Sequence, residues 1–164
     1  PEVPKFMPRW WNWYTRNVEV VVIAGSSPVL GTMINNFMSK WFDYVRSCYD
    51  LVIETEGKVN IVLEHNVEAY LVHLMANNFE RTDIGEKIIS IELMQAMQTG
   101  RREQYKDVGD ECLLIHSYPL RRGRWPSQTY YQDMGMIAYG YANHMMEEHF
   151  IPASKVLTAV FNQR

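Results

Sequence analysis

The cleanest constraint in the chain is a stripe of apolar side chains at Val67, Tyr70, Leu71, Leu74, Met75 and Phe79. Steps of three and four residues place all six on one face of a helix, and a strand has no way to bury them together. The expected helix runs from about Ile61 to Phe79. One such face needs others to cover it, and the sequence supplies them. Phe37, Met38, Trp41, Tyr44, Val45, Cys48, Tyr49 and Val52 repeat in the same way, which predicts a helix over about Asn35 to Ile53 that breaks at Gly57 and Asn60. A shorter helix is expected from Ile88 to Met97, ending on Gly100 as a left-handed C-cap. Tyr105, Val108, Cys112 and Ile115 mark another over Arg102 to Ser117, stopped by Pro119. Ser127 then reads as the N-cap of a long helix from Gln128 to His149, and Pro152 as the start of a last short one.

The expectation is therefore an all-α fold, a bundle of five to six mostly antiparallel helices. The composition can sustain it. Hydrophobic residues make up 47% of 164 residues, enough for a core without staples. No segment holds the roughly 18 uncharged apolar residues of a membrane span, and no secretory leader pattern is visible. The two cysteines, Cys48 and Cys112, sit in apolar surroundings outside any CxxC or Cys/His cluster, which predicts buried reduced thiols and a cytoplasmic setting.

Residues 7–33 differ in kind from the rest. Val18 to Ile23 is a β-branched run, Gly25-Ser26-Ser27-Pro28 is a turn, and Val29-Leu30 has the pattern of a short returning strand. The stretch also resembles the read-through translation of a bacterial tRNA gene. Pro8-Arg9-Trp10-Trp11-Asn12-Trp13-Tyr14-Thr15-Arg16 is like the product of an acceptor stem and D-arm. Ala24-Gly25-Ser26-Ser27-Pro28 is like that of a T-arm, and Val29-Leu30-Gly31-Thr32 like that of the closing acceptor strand. That resemblance implies a native start at Met33 or Met38. It divides the chain into an extension, 1–33, irregular or a short hairpin, and a single helical domain, 34–164.

A second resemblance covers about residues 60–142. Val67-Glu68-Ala69-Tyr70-Leu71-Val72-His73-Leu74-Met75, Gly109-Asp110-Glu111-Cys112-Leu113-Leu114, an arginine-rich loop and Ser127-x-x-Tyr130-Tyr131-x-Asp133-Met134-Gly135-x-x-Ala138-Tyr139 are similar to stretches of an uncharacterised bacterial all-helical family. It implies a helical fold and no activity.

Chemistry-bearing residues are sparse. No nucleophile elbow, phosphate loop or dinucleotide fingerprint occurs, so no catalytic residue and no cofactor is assigned. Glu64, His65 and Glu68 share one helical turn and His144, Glu147, Glu148 and His149 another, which invites a metal reading. A helical di-metal site wants inward Glu-x-x-His pairs, and the sequence has none, so the expectation is no metal. His73 and His116 lie at the margins of apolar stripes, where a core-edge histidine is the ordinary reading. From Met33 onward acidic residues outnumber basic ones, 17 to 13, which argues against nucleic acid as a partner.

Two sets remain. Asp110, Arg121, Arg122, Tyr130, Tyr131 and Asp133 would meet at one mouth if the helices flanking the arginine loop pair, and would there bind a small polar ligand or form an ion-paired network. Gly135, Ala138 and Ala142 line one helix face with small residues, suited to close approach of a second copy. With ten methionines and abundant aromatic residues beside an absence of catalytic motifs, the leading expectation is a protein-interaction or regulatory module. A ligand binder or enzyme using the Asp110 set comes second, and a helical metal protein third.

Overall fold

In the computed structural model of the protein, residues 28–78, 81–118 and 126–163 are described, with side chains from residue 38. Among them are six helices and no strand: α1 (Pro28–Val59), α2 (His65–Asn78), α3 (Ile89–Thr99), α4 (Arg102–Ser117), α5 (Gln128–Tyr141) and α6 (Met146–Phe161). The all-α expectation is met. None of these helices is long and apolar enough to cross a membrane.

The chain forms two compact units, Pro1–Arg46 and Ser47–Arg164. The tryptophan-rich stretch up to Ser27 lies outside the described residues. Val29-Leu30 does not return as a strand. It belongs to the first turn of α1, which opens on Pro28, where a missing N–H and a fixed φ suit a helix start. Within the first unit the rings of Trp41 and Phe42 meet edge-on at 5.7 Å.

In the second unit, α4 packs against α3, α5 and α6, and α2 packs against α6. The central position of α4 shows in its burial. Cys112, Leu113, Leu114 and Ile115 are consecutive and all buried, so neighbours cover this helix on more than the one face its periodicity suggests. Val67, Leu71 and Val72 of α2 and Met146, Phe150, Ala153, Val156, Leu157 and Val160 of α6 complete the interior.

Helix ends account for most differences from the sequence reading. Gly100 (φ 66°) caps α3 in the left-handed conformation, with its N–H on the Ala96 carbonyl, as expected. Ser127 caps α5 through its hydroxyl, which accepts from the Tyr130 N–H at 3.2 Å. Gly57 does not break α1. Asn60 (φ 52°) ends it, with the Ile61 N–H reaching back to the Glu56 carbonyl.

The expected long helix to His149 is instead two helices. Asn143 takes φ 49°, its N–H bonds the Gly140 carbonyl, and the His144 N–H bonds the Tyr139 carbonyl. This pair of bonds is the Schellman closure, with asparagine in the position glycine usually fills. Pro152 accordingly lies inside α6 rather than opening a helix. The carbonyl it leaves unbonded belongs to Glu148, an exposed residue open to solvent.

Candidate functional site

The polar centre of the second unit is Asp110, on the face of α4 that looks toward α2 and α5. Its Oδ1 accepts from the Tyr139 hydroxyl at 2.7 Å and from the Tyr70 hydroxyl, and its Oδ2 accepts from Lys106 Nζ at 2.7 Å. The three donors come from α5, α2 and α4. The carboxylate therefore ties three helices together and has its charge paired. Lys106 also lies 5.2 Å from the centroid of the Tyr70 ring, a cation–π contact.

His144 completes the cluster, 4.8 Å from the Tyr70 ring and stacked on Tyr139 at 5.4 Å. Its Nδ1 accepts from the Met146 N–H at 3.3 Å, which puts the ring proton on Nε2 and caps the start of α6. Burial holds this imidazole below its usual pKa, consistent with a neutral acceptor. Burial first, and the Asp110 charge second, push both tyrosine hydroxyls upward, so they stay protonated as donors.

Two glycines make this packing feasible. A Cβ on Gly109 would lie 2.7 Å from the Tyr139 ring, and one on Gly135 would lie 2.5 Å from Phe150 and 2.9 Å from the Cys112 Cβ.

Next to Asp110 a cleft of about 330 Å³ opens between α2 and α4, with Tyr70, His73, Asn77, Lys106, Asp107 and Asp110 among its lining residues. Its floor is braced by a second network. Arg81 donates to both oxygens of buried Glu111 (2.9 and 3.3 Å), to both oxygens of Asp83 (2.8 and 3.2 Å) and to Asn78 (2.9 Å). Glu111 also accepts the Gly85 N–H at 3.1 Å. Hydrogen bonds to Asp83, then to Glu111, hold the guanidinium charge, and Asp83 is held below the usual carboxylate range by Arg81. With its donors committed, Arg81 fixes the 81–85 loop on α4.

A third polar group sits where α1 meets α2. Glu56 and Glu68 are both buried. Glu56 accepts the Leu63 N–H at 2.7 Å, and Glu68 pairs with exposed His65 at 2.8 Å. Burial, then the neighbouring Glu68, pushes the Glu56 carboxyl upward.

Of the residues expected to share one mouth, the described ones are placed apart from Asp110. Asp110 faces the cleft. Tyr131 lies in the hydrophobic core among Ile89, Leu93, Tyr105 and Ile115, with Tyr130 packed against that core. Asp133 is exposed. Arg121 and Arg122 lie outside the described residues. The partners of Asp110 are two tyrosines and a lysine, where the sequence suggested loop arginines. Gly135, Ala138 and Ala142, read as a face for a second copy, are covered by the chain's own side chains.

Glu64 and His149, from the two histidine–carboxylate sets, do approach, at 3.9 Å, while His144 belongs to the tyrosine cluster. Among the described residues no three histidine, cysteine, aspartate or glutamate side chains are placed to hold a metal ion. Cys48 and Cys112 are both buried, and neither forms a disulfide.

The sequence reading missed Tyr70 as a polar group because it occupies an apolar stripe position, and missed Tyr139 because it falls outside the stripe expected for its helix. The available signal was the hydroxyl itself, since a tyrosine deep in a stripe needs a partner. Comparison with protein-family models, curated proteins and solved structures finds no match for this chain.

Proposed function

We propose that the protein is a helical interaction module whose docking surface is the outer face of α3, and that its partner presents an amphipathic helix. The observation that carries this is the exposure of Ile88 (61%), Ile91 (47%), Met94 (59%) and Met97 (52%) around a helix whose opposite face, Ile89, Leu93 and Ala96, is buried. α3 is thus apolar on both sides, while a helix that only covers a core is apolar on one.

The four residues follow a three-residue step. On a helix this makes a diagonal ridge of the kind that fits the groove of another helix. Ser90, Gln95 and Gln98 lie between them, and Glu92 is the lone charge on the helix, so an approaching apolar face meets little charge to desolvate. The methionines suit a surface that adapts to its partner. Four half-exposed side chains offer well under the ~800 Å² per partner of a standard stable interface. That area favours a single docked helix over a permanent dimer.

The test places a photo-crosslinking side chain at position 94 of the full chain in the cells that express it, with position 103 on α4 as the polar control. The expected product maps to an amphipathic helix of one partner, and Met94→Glu weakens binding of that purified partner at least tenfold, about 1.4 kcal/mol. Crosslinks no stronger than at position 103 would overturn the reading. So would crosslinks only to a second copy or to the chain's own leading segment.

A further inference from the structure

We infer that the α2–α4 cleft binds a free α-amino acid as its zwitterion, through Lys87 and Asp107.

The inference rests on which charges in the cleft are already satisfied. Of the three cations lining it, Arg81 is committed to Asp83 and Glu111, and Lys106 is paired with Asp110. Of the three carboxylates, Glu111 and Asp110 are the other halves of those pairs. Lys87 and Asp107 remain. Both line the cavity, each is exposed, and among the described residues neither makes a hydrogen bond or an ion pair. The charges of Lys106 and then Lys87 both act on Asp107, yet neither lysine forms an ion pair with it within 4.0 Å.

An unpaired ammonium and an unpaired carboxylate in one cleft define a ligand with both signs. A simple anion would satisfy Lys87 and be repelled by Asp107, and a simple cation would do the reverse. A zwitterion pairs with both through charge-assisted hydrogen bonds. Asn77 and the remaining N–H groups of Lys106 also line the cleft and can add donors to the ligand carboxylate.

Size agrees. The cleft, about 330 Å³, is at the small end of ligand sites. Lys87 and Asp107 also line an adjoining hollow of about 240 Å³, whose wall carries Ile89, Glu92, Gln95 and Gln104. The ligand's head group would sit at the shared boundary, with its side chain directed into that hollow. The two amides and the Glu92 carboxylate there favour a polar side chain that donates hydrogen bonds, as a carboxamide does.

The experiment titrates L-glutamine into the full-length protein, followed by amide chemical shifts and by calorimetry. N-acetyl-L-glutamine, which lacks the ammonium, and L-glutaminamide, which lacks the carboxylate, serve as half-ligands. Saturable binding with Kd of about 1 mM or tighter is expected, with each half-ligand at least tenfold weaker. Lys87→Ala and Asp107→Asn, both at exposed positions, should each lose tenfold or more while melting at the wild-type temperature. Absence of saturation at about 10 mM would overturn the inference. A half-ligand equal to the zwitterion would do so too, as would wild-type affinity in both variants.

Discussion

Replacing Gly109 with alanine should destabilise the protein, although alanine is the better helix former. In the middle of α4 the exchange gains about 1 kcal/mol of propensity. The new methyl group, however, would lie 2.7 Å from Cδ1 and Cε1 of Tyr139 and 2.9 Å from Cγ. That ring has no free direction to move. Tyr139 is fully buried, its hydroxyl is anchored on Asp110 at 2.7 Å, and His144 stacks on it.

Overpacking of this kind costs about 1–3 kcal/mol, and weakening a hydrogen bond to a charged acceptor adds about 1–2 kcal/mol. Net of propensity, the loss is about 1–4 kcal/mol, or a fall in Tm of roughly 3–15 °C for a chain this size. Gly57→Ala is the internal control, because nothing lies within 4 Å of the Cβ it would add, and it should stabilise by about 0.5–1 kcal/mol. Thermal and urea melts of the two variants beside wild type decide the matter. A Gly109→Ala protein as stable as wild type would refute the claim that Tyr139 is pinned between Gly109 and Asp110.

Glu56→Gln should raise stability at neutral pH by about 1 kcal/mol, since a carboxamide can keep the Leu63 N–H bond and offer Glu68 a donor in place of a second negative charge. A carboxyl whose pKa is raised on folding favours the folded state below its unfolded value, and that contribution is lost as pH rises through the folded value. The advantage of the variant should therefore be absent near pH 4, grow as pH rises and level off toward pH 7. A pH-independent difference between the two melting curves contradicts this assignment. The Cys112 thiol, fully buried and pushed up to about 12 by its surroundings, should resist a thiol reagent at pH 8 until the protein unfolds. A variant with Cys48→Ala isolates its signal, and labelling faster than global opening would show that the α4–α5 interior is more accessible than described.

Helices were legible where one apolar face meets one neighbour. The bounds of α4 follow from its stripe and its flanking breakers, and Gly100 and Ser127 announce the ends they cap. The reading failed where the decisive residue was ambiguous. Asn143 ends α5 by accepting a left-handed backbone, yet asparagine also occurs within helices, so the apolar pattern Tyr130, Met134, Ile137, Ala138, Tyr141, Met145 runs through it unmarked. Pro152 misled for the converse reason. Proline most often marks a helix start, but an interior position is tolerable when the carbonyl it strands can reach water.

The site was legible only in part, and the reason is distance along the chain. Asp110 stood out because a carboxylate beside an apolar stripe must find partners. Those partners, Tyr70 and Tyr139, lie 40 and 29 residues away on helices whose pairing the sequence does not state. Tyr130, Tyr131 and Asp133 were chosen over them because they lie near a loop. Yet the helical phase that buries Tyr131 and Tyr139 keeps Asp133 exposed, and Tyr139 is the one that reaches the carboxylate.

The same phase argument separates the two surfaces on which function is placed here. Side chains that tie helices together, Tyr70, Tyr139, Arg81 and Glu111, have their polar atoms paired and little left to offer a ligand. What the fold leaves unspent lies beside them: Lys87 and Asp107 on the cleft, and Ile88, Ile91, Met94 and Met97 on the outer face of α3. Lys87 directly precedes that apolar ridge in the chain. A ligand drawing Lys87 into the cleft would therefore act on the first turn of the docking helix. If both readings hold, occupancy of the cleft should change partner affinity in wild type and leave it unchanged in Lys87→Ala.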